Sequence, residues 1–323
     1  MRIVTVTEPG GPENLVIAEA PRPSAGPGEV VIRVRAAGVN RADLLQRQGF
    51  YPPPPGISEV IGLEVSGTID EVGDGVAGWA PGDDGVALLA GGGYAEYVSV
   101  PAGQAIVPPP GVDPVSAVGL VEVAATVVSN FDHVHLASGE SLLVHGGAGG
   151  IGTFAIQYAK ALGVRVLTTA GSPDKLALCR ELGADVAIDY HDDWAVAVAE
   201  VTDGLGVDVI LDVIGAKYLE ANVAALATDG RLVVIGLQGG RKGTLDLNRL
   251  LTKRGTVTAT SLRGRPVEQK AAICAAVAER VWPLVASGQI RLAPETRFPL
   301  ERVADAHRQL ESGQNTGKVI LTI

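Results

Sequence analysis

Short runs in which apolar and polar residues alternate dominate the first third of the chain and predict β-strands. Examples are residues 30–34, 65–69 and 94–98, and turn residues such as the Pro-Gly-Asp-Asp-Gly segment at 81–85 separate these runs. Side chains on a strand alternate between the two faces of a sheet, so this spacing is typical of strands with one buried face. The first third is therefore expected to form a compact antiparallel β domain.

The pattern changes near residue 113, where Asp113 followed by Pro114 predicts the start of a helix. Beyond residue 140, apolar strands alternate with helices that have apolar residues at helical spacing. Strands are predicted at 141–145, 164–168, 186–188, 207–211, 231–235 and 256–260, and helices at 150–162 and from Ser172-Pro173 to Gly183. This alternation predicts a parallel sheet with helices on both of its faces.

The last sixty residues predict a mixed segment that ends in an apolar strand. A helix carries its apolar residues at 271, 273, 276, 277 and 281, and it is followed by a strand near 296, a helix at 301–311 and a strand at 318–323. A closing strand this apolar needs a sheet to join. We expect it to return to one of the earlier sheets.

Composition places the chain among globular proteins and restricts its partners. The 323 residues, which predict two domains, are 46% hydrophobic and 19% charged, with a net charge of −10. This charge argues against nucleic acid or an anionic membrane as the main partner. Only two cysteines occur, and the N-terminus has no signal-peptide pattern. The expectation is a cytoplasmic protein that acts on a small molecule.

The segment His-Gly-Gly-Ala-Gly-Gly-Ile-Gly at 145–152 carries the strongest motif in the sequence. It follows a predicted strand and opens a predicted helix, which is the context that a G-x-G-x-x-G dinucleotide loop requires. Glycines allow backbone N–H groups to approach a pyrophosphate, and the helix N-terminus favours the anion. The alternative is a packing turn of an α/β protein. The loop predicted to bind a dinucleotide comprises Gly147, Ala148, Gly149, Gly150, Ile151 and Gly152.

The residues after the second predicted strand of this unit favour NADPH over NADH. An NAD site usually has an acidic residue there for the ribose hydroxyls, whereas this chain has Thr169-Ala170-Gly171-Ser172. Ser172 can donate a hydrogen bond to a 2′-phosphate, and Lys175 can neutralise its charge. The alternative role for Ser172 is a helix N-cap.

Zinc chemistry is not predicted from the sequence. No Cys-x-x-Cys pair occurs, and Cys179 and Cys274 fall on separate predicted helices. His133 and His135 precede a predicted strand at a position expected to be exposed. His191 and His307 have no metal-ligating neighbour in the sequence.

Several stretches together resemble the medium-chain dehydrogenase/reductase superfamily in its zinc-free NADPH:quinone oxidoreductase branch, and within it the p53-inducible quinone oxidoreductase-like proteins. These stretches are GPENL, NRADLLQRQGFYPPPPG, LLAGGGYAEYV, TTAGSPDKL, LDVIG, TSLR and GKVILTI, and the resemblance extends over the whole chain. It implies an α/β fold with a doubly wound Rossmann domain at 121–261. A GroES-like, β-rich catalytic domain would comprise 1–120 and 262–323.

The resemblance also implies that the zinc ligands of related enzymes are replaced. Asn40 stands where the zinc-dependent relatives have a cysteine, and Leu63, in Gly62-Leu63-Glu64, stands where they have a histidine. Glu122 aligns with a second cysteine of those relatives. The implied enzyme is independent of zinc.

Residues carried over from the resemblance define an expected site. Asn40 would lie beside the nicotinamide, Tyr51 would line the substrate pocket as a hydrogen-bond donor, and Thr126 would contact the cofactor. Tyr190 would lie beside the adenosine phosphate or pack without contacting it. The alternative for Tyr51 is an aromatic ring that packs against its prolines. The remaining expected cofactor contacts are Gly171, Ser172, Lys175, Gly236, Leu237, Ser261, Leu262, Arg263 and Lys318, of which Lys318 has a solvated strand-end charge as its alternative.

The function implied is hydride transfer from NADPH to a quinone, with Tyr51 and Asn40 as catalytic residues. One alternative is reduction of an enone or enoyl thioester, for which Arg41, Arg47, Arg263 and Arg265 could form a basic rim. Another alternative is an NADPH-binding protein without turnover. Relatives commonly pair through an edge strand, so a homodimer through residues 256–260 is expected.

Overall fold

The computed structural model describes all residues, 1–323, and contains fifteen strands and ten α-helices. The strands are β1 (Arg2–Val6), β2 (Leu15–Glu19), β3 (Glu29–Val39), β4 (Glu64–Val72), β5 (Asp84–Leu88), β6 (Tyr97–Pro101), β7 (Ala105–Ile106), β8 (Ser141–His145), β9 (Arg165–Ala170), β10 (Val186–Asp189), β11 (Val207–Asp212), β12 (Leu226–Val234), β13 (Thr256–Ala259), β14 (Glu295–Pro299) and β15 (Lys318–Thr322). The helices are α1 (Arg41–Arg47), α2 (Pro114–His133), α3 (Gly150–Ala161), α4 (Pro173–Glu181), α5 (Trp194–Val201), α6 (Leu219–Ala225), α7 (Leu247–Thr252), α8 (Val267–Arg280), α9 (Trp282–Ala286) and α10 (Val303–Glu311).

Contacts within the chain define two units. Unit 1 comprises Met1–Ala125, Leu262–Gly288 and Leu292–Ile323, and unit 2 comprises Thr126–Ser261 and Gln289–Arg291. The first boundary lies inside α2 and five residues beyond the expected position of 120 (125 − 120 = 5). The short segment 289–291 belongs to unit 2 because the side chain of Gln157 bonds both the backbone carbonyl and the backbone N–H of Arg291.

Unit 1 is built on a seven-stranded sheet with the order β14-β15-β3-β4-β5-β7, and β6 also pairs with β3. The C-terminal strand β15 lies antiparallel to β3 and parallel to β14. The apolar strand at the end of the chain therefore returns to the N-terminal sheet, as the sequence predicted. Its buried residues Val319, Ile320 and Leu321 are fully inaccessible to solvent.

The strand predicted at 94–98 begins later than expected. Its pairing with β3 starts at Tyr97 opposite Arg33, whereas Ala95 forms only a single bridge with Ile3. Tyr94 lies in the core, and its hydroxyl group bonds Asp43 and His307. A side chain fixed in this way sits in an irregular segment that the alternating pattern did not reveal.

The apolar face predicted for α8 was also only partly right. The residues of α8 that are buried are Lys270, Cys274 and Val277, whereas Ala271, Ile273 and Ala276 are half-buried. A lysine therefore occupies a buried position on this helix, which a count of apolar residues could not show.

Unit 2 contains a six-stranded sheet with the order β10-β9-β8-β11-β12-β13. Every pair of neighbouring strands in it is parallel. The predicted parallel sheet is thus confirmed, and the order is that of the Rossmann fold, in which the direction of winding reverses between β8 and β11. Strand β13 lies at one edge of the sheet, at the position predicted for it.

The helix α2 begins as the sequence predicted. The carboxylate of Asp113 accepts a hydrogen bond from the backbone N–H of Ser116 at 3.2 Å, as an N-cap does. This helix is long and apolar enough to cross a membrane by composition, but 83% of its most apolar 18-residue window is buried inside the protein. Core helices of globular domains show the same combination of length and burial.

Candidate functional site

In unit 2 the glycine loop connects β8 to α3 through a turn in which two glycines are packed closely. A Cβ atom on Gly152 would lie 2.3 Å from the carbonyl oxygen of Gly146, and one on Gly147 would lie 2.0 Å from the hydroxyl oxygen of Thr168. Gly149 precedes the first residue of α3. The loop therefore places backbone N–H groups at a helix N-terminus, and this arrangement suits the pyrophosphate of a dinucleotide.

A buried histidine directly before the loop connects it to the rest of unit 2. The ring of His145 lies 2.8 Å from the side-chain oxygen of Asn222 and 3.1 Å from the hydroxyl oxygen of Thr169. That hydroxyl oxygen also accepts the backbone N–H of Gly146 at 3.3 Å. Because the Asn222 oxygen can only accept, the neutral ring donates through Nε2 and accepts from Thr169 through Nδ1.

The surroundings of His145 keep its ring neutral. Trp194 and Tyr218 pack edge-on against it, with ring centroids 4.7 and 4.9 Å away. Burial lowers the pKa of His145 to about 4, against a smaller opposing effect of the Asn222 hydrogen bond. Sequence analysis did not include His145 in the site, although its position immediately before the glycine loop was a usable signal.

The residues expected to recognise a 2′-phosphate lie at the carboxyl ends of β9 and β10. A Cβ atom on Gly171 would lie 2.2 Å from the hydroxyl end of the Tyr190 ring, so the absence of a side chain at Gly171 makes room for this ring. Tyr190 is 44% exposed. The backbone N–H of Lys175 donates to the hydroxyl oxygen of Ser172 at 3.3 Å. Ser172 is therefore a helix N-cap, and a phosphate contact would be an additional role of its hydroxyl group.

The loop after β11 is fixed by a buried carboxylate. Asp212 accepts hydrogen bonds from the backbone N–H groups of Ile214 at 2.7 Å and Gly215 at 3.0 Å. Burial raises the pKa of Asp212 to about 6, and these two hydrogen bonds oppose the rise. Gly236 packs against the same segment, since a Cβ atom there would lie 2.8 Å from the carbonyl oxygen of Val213. The neighbouring Leu237 is 50% exposed.

Two further expected contacts lie at the ends of unit 2. Thr126 is buried in α2, and its carbonyl oxygen accepts hydrogen bonds from the side chains of Ser129 and Asn130. Ser261 is exposed and is the last residue of the main segment of the unit.

In unit 1 the structure brings together three side chains that are far apart in the sequence. The ammonium group of Lys318 donates to the side-chain oxygen of Asn40 at 2.7 Å and to Glu64 Oε1 at 2.6 Å. The amide nitrogen of Asn40 donates to the same Glu64 oxygen at 2.8 Å. The other carboxylate oxygen of Glu64 accepts the backbone N–H of Glu122 at 3.0 Å. We call Asn40, Glu64 and Lys318 the amide triad.

Both charged members of the amide triad are buried. The side chain of Glu64 is fully inaccessible to solvent, and that of Lys318 is 6% exposed. Charges removed from water in this way need partners with good geometry, and each is here the partner of the other. The resemblance implied roles for Asn40 and Lys318 separately, but no signal in the sequence indicated that Glu64 would join them.

Tyr51 is held by an arginine in the same unit. The guanidinium group of Arg263 lies 5.1 Å from the centre of the Tyr51 ring, and its NH1 donates to the Tyr51 carbonyl oxygen at 3.1 Å. Its other nitrogens donate to the carbonyl oxygen of Ala90 at 2.6 Å and to the side-chain oxygen of Gln46 at 2.7 Å. Arg263 is 6% exposed, so its charge faces the interior of unit 1. The arrangement fixes both the backbone and the ring of Tyr51.

Gln46 extends this arrangement to the proline segment. Its side-chain nitrogen donates to the carbonyl oxygen of Glu59 at 2.8 Å, beyond the four prolines that follow Tyr51. Proline restricts the backbone of this segment, and the hydrogen bond between Gln46 and Glu59 ties its end to α1.

A second buried polar network lies beneath Asn40 in unit 1. Asp43 accepts the backbone N–H of Asn40 at 2.7 Å and the hydroxyl group of Tyr94 at 3.1 Å. Tyr94 also lies 3.2 Å from His307, whose other ring nitrogen lies 3.4 Å from Arg47. Burial raises the pKa of Asp43 to about 7 and lowers the pKa of His307 to about 3. His307, which has no notable neighbour in the sequence, therefore belongs to a buried network.

The basic rim suggested from the sequence is not formed by all four of its members. Arg47 is 1% exposed and pairs with Glu311 at 2.9 Å, and Arg263 is buried as described above. Arg41 is exposed and Arg265 is half-exposed. Two of the four arginines therefore support the structure of unit 1, because both are buried and their guanidinium groups donate to acceptors of the same unit.

The donor sets of the molecule do not match a zinc centre. No group of three or more His, Cys, Asp or Glu side chains is placed so that it could hold a metal ion. At Asn40 the neighbouring groups are a carboxylate and an ammonium ion, and a metal cation would have to displace that ammonium ion.

Comparisons with known proteins agree with this architecture. The profile of the family described as "Zinc-binding dehydrogenase" matches residues 150–277, and that described as "Alcohol dehydrogenase GroES-like domain" matches residues 26–111. A quinone oxidoreductase from Pseudomonas aeruginosa is 34% identical over 316 residues, which cover 97% of this chain and 96% of that protein.

Two solved structures are similar over 100% of both chains. One is a mycobacterial protein complexed with NADPH, with 34% identity and a TM-score of 0.89. The other is the Escherichia coli quinone oxidoreductase complexed with NADPH, with 29% identity and a TM-score of 0.89. The predicted fold class, a Rossmann domain combined with a GroES-like β-rich domain, is thereby confirmed. The chain belongs to the medium-chain dehydrogenase/reductase superfamily, in its quinone oxidoreductase branch.

Proposed function

We propose that this protein is a zinc-independent oxidoreductase that transfers a hydride from NADPH to a quinone. The observation that carries the proposal is the amide triad. Asn40, which the resemblance aligns with a metal-ligating cysteine of related enzymes, is hydrogen-bonded to the ammonium group of Lys318 and to its counterion, the carboxylate of Glu64. The relatives described as quinone oxidoreductases support the substrate class.

The residues of unit 2 suit NADPH as the cofactor. The glycine loop offers backbone N–H groups for the pyrophosphate, and Ser172, Lys175 and Tyr190 are the residues proposed to recognise a 2′-phosphate. No acidic side chain follows β9 directly to repel that phosphate. Further contacts proposed in this unit are Thr126, Gly171, Gly236, Leu237 and Ser261. When bound, NADPH supplies the hydride.

The residues of unit 1 supply positioning and a hydrogen-bond donor. A quinone that accepts a hydride gains negative charge on its oxygens and must then take up a proton. A phenol is neutral at physiological pH and can donate a hydrogen bond to such an oxygen. Tyr51 is the proposed donor, and Arg263 fixes its ring and carbonyl group. Asn40 is proposed to orient the nicotinamide or the acceptor at reacting distance.

Arg263 and Lys318 are given a revised role in this proposal. The resemblance implied that both contact the cofactor, along with Leu262. Their charged groups are already used by Tyr51, Gln46 and Ala90 in one case and by Asn40 and Glu64 in the other. We therefore propose that the two side chains act on Tyr51 and Asn40.

The test is NADPH oxidation against a panel of ortho-quinones, para-quinones, enones and enoyl thioesters, with NADH in parallel. The proposal expects the highest kcat/KM with a quinone and a preference for NADPH. Activity with enoyl thioesters alone would move the assignment to that class. NADPH binding without oxidation by any acceptor would identify a non-catalytic binding protein.

The role of Tyr51 has its own test in the same assay. Changing Tyr51 to Phe keeps the ring over Arg263 but removes the donor, so kcat/KM with the preferred quinone should fall about tenfold to a thousandfold. The half-buried Tyr97, which stacks with Arg22 at 4.7 Å, offers the matched change Tyr97→Phe, and this variant should retain full activity. Unchanged kcat/KM for every acceptor in Tyr51→Phe would contradict the donor role.

Location and assembly complete the proposal. The relatives described as quinone oxidoreductases support a small molecule as substrate, and we propose that the protein acts in the cytoplasm. We also propose a homodimer through the edge strand β13, whose position at the end of the sheet leaves one side of its backbone available for pairing.

A further inference from the structure

The chemistry of the amide triad fixes which way the side-chain amide of Asn40 points. Its oxygen faces the Lys318 ammonium group at 2.7 Å, and its nitrogen faces Glu64 at 2.8 Å. An ammonium group can only donate, and a carboxylate can only accept. In the reverse orientation the amide nitrogen would face the Lys318 ammonium group, so that two donors meet, and the amide oxygen would face the Glu64 carboxylate, so that two acceptors meet. Only one orientation is therefore compatible with both partners.

This orientation leaves part of the amide available to a ligand. An asparagine amide carries two N–H donors, and one of them is used by Glu64. The second N–H is not used by Lys318, which contacts the oxygen. Asn40 is itself partly exposed. The remaining N–H can therefore donate to a group outside the amide triad.

The ammonium group also changes the strength of that donor. A cation bonded to an amide oxygen draws electron density from the nitrogen, and chains of hydrogen bonds strengthen one another in a medium of low dielectric constant. Lys318 and Glu64 are buried, so water screens this effect little. The second N–H of Asn40 should be a stronger donor than that of an ordinary asparagine.

We propose that the buried Lys318–Glu64 ion pair is a positioning device, which holds the Asn40 amide in one orientation and polarises its second N–H toward the cofactor or the acceptor. Lys318 and Glu64 act only through Asn40. This inference rests on the proposed function for its kinetic readout, but the orientation of the amide follows from the contacts alone.

The surrounding backbone makes room for this arrangement at two glycines. A Cβ atom on Gly38 in β3 would lie 2.1 Å from Glu64 Oε1, the oxygen that receives both hydrogen bonds. A Cβ atom on Gly119 in α2 would lie 3.3 Å from the Lys318 side chain. The amide triad thus comprises the residue that follows β3 and the first residues of β4 and β15, and α2 has no side chain where it contacts Lys318. A solvated lysine at the end of a strand would not need glycines at these two positions.

The decisive experiment is a double-mutant cycle between Lys318 and Asn40. Lys318→Met should lower kcat/KM with the preferred quinone about tenfold, the cost of one charge-assisted hydrogen bond. In the Asn40→Ala background, Lys318→Met should lower kcat/KM by less than about twofold, because the amide through which Lys318 acts is already absent. Lys160→Met, at a half-exposed lysine paired with Asp185, is the matched control and should leave kcat/KM unchanged.

A double variant that lacks both charges separates a loss of stability from a loss of positioning. Glu64→Gln combined with Lys318→Met removes both charges together, so neither is left buried alone, and urea unfolding should show recovered stability relative to Lys318→Met. The kcat/KM of this double variant should stay about tenfold below that of the unaltered protein. Recovery of full kcat/KM would show that the ion pair is only structural and would overturn the proposal.

Two other results would overturn the inference. If the losses of Lys318→Met and Asn40→Ala multiply, Lys318 acts independently of Asn40. If NADPH affinity falls equally for Lys318→Met in both backgrounds, Lys318 contacts the cofactor directly. Fluorescence titration with NADPH measures this affinity without turnover.

A spectroscopic readout separates this inference from the proposed function. If no acceptor supports the oxidation of NADPH by the unaltered protein, the proposed function fails. The amide triad is then tested by NMR with 15N-labelled asparagine. Comparison with Asn40→Ala identifies the side-chain amide signals of Asn40. The amide proton bonded to Glu64 should exchange slowly with water in the unaltered protein and quickly in Lys318→Met, whereas the second amide proton should exchange quickly in both. Equal exchange of the proton bonded to Glu64 in both proteins would refute the fixed orientation.

Discussion

The two units build their candidate sites from different materials. In unit 2 the glycine loop uses the backbone of consecutive residues, 147–152, at the end of one strand and the start of one helix. In unit 1 the amide triad uses side chains, and Lys318 lies 254 positions from Glu64 and 278 from Asn40. A backbone site needs only local conformation, whereas the amide triad requires three strands in register. The first depends on the absence of side chains at its closely packed glycines, and the second depends on each charge.

The largest effect is expected from leaving one charge of the amide triad alone. Glu64→Leu would bury the Lys318 ammonium group without its counterion, so the free energy of unfolding should fall by about 3–5 kcal/mol. Urea denaturation measures the change. The matched variant Glu181→Leu breaks an exposed ion pair with Arg291 and should cost less than about 1 kcal/mol. Equal losses at the two positions would remove the contrast between buried and exposed charge.

A pH-dependent effect is expected in unit 2 from His145. Folding holds this ring neutral down to about pH 4, whereas the unfolded chain takes up a proton near 6.5. Between these values the unfolded state binds more protons, so the free energy of unfolding falls as the pH falls. The loss contributed by His145 should reach roughly 3 kcal/mol once the pH is below about 4.

His145→Gln tests this dependence by urea denaturation at several pH values between 7.5 and 4.5. The variant should show a shallower fall in stability, while the buried His307, whose pKa is lowered to about 3, still contributes its share. The exposed His191 gives the control variant His191→Gln, which should keep the slope of the unaltered protein. An unchanged slope in His145→Gln would mean that this ring does not govern acid stability.

A smaller difference in the free energy of unfolding is expected between variants at two glycines of the glycine loop. Gly152→Ala would place a Cβ atom 2.3 Å from a backbone oxygen, so the loop must shift, at a cost of about 1–3 kcal/mol in the free energy of unfolding. Gly149→Ala would meet that oxygen at 3.5 Å, an ordinary contact, and should cost less than about 1 kcal/mol. Thermal and urea unfolding of both variants check the order. If Gly149→Ala is the more damaging change, close packing does not explain the motif.

The smallest effect is expected at Ser172, whose hydroxyl group caps α4. Ser172→Ala should lower the free energy of unfolding by about 1 kcal/mol and weaken NADPH binding while NADH binding stays the same. Asp193 caps α5 in the same unit, so Asp193→Ala should cause a similar loss of stability with no change in cofactor preference. Isothermal titration with both cofactors measures the preference. A parallel weakening of NADH and NADPH would assign Ser172 to capping alone.

The fold was largely predictable because its signals are local. Asp113 and Ser172 were identified as helix starts from residue type and spacing, and both cap helices in the structure. The parallel strands of unit 2 were recognised because each is a short apolar run between turn residues. The strand predicted at 94–98 started too early, since the burial of Tyr94 depends on Asp43 and His307, which lie elsewhere in the sequence.

The site was predictable only where its chemistry is carried by the backbone or by a motif. Residue type and position predicted the glycine loop, Ser172 and Lys175 as cofactor contacts, and the resemblance added Asn40, Tyr51 and Lys318 as expected site residues. Neither indicated that Arg263 would hold Tyr51 or that a buried Arg47 would pair with Glu311. A charged side chain has the same sequence signature on a surface and in an interior ion pair.

Sequence by itself predicted most of the strands and helices and the glycine loop, which follow from periodicity, helix caps and turn chemistry acting over a few residues. That Asn40, Leu63 and Glu122 replace zinc ligands was implied by the resemblance to the family. Only the tertiary structure decided that Lys318 and Glu64 meet at Asn40, because β15 returns from the end of the chain to pair with β3 beside β4. Long-range pairing places the two charges together, and burial then makes each one necessary to the other.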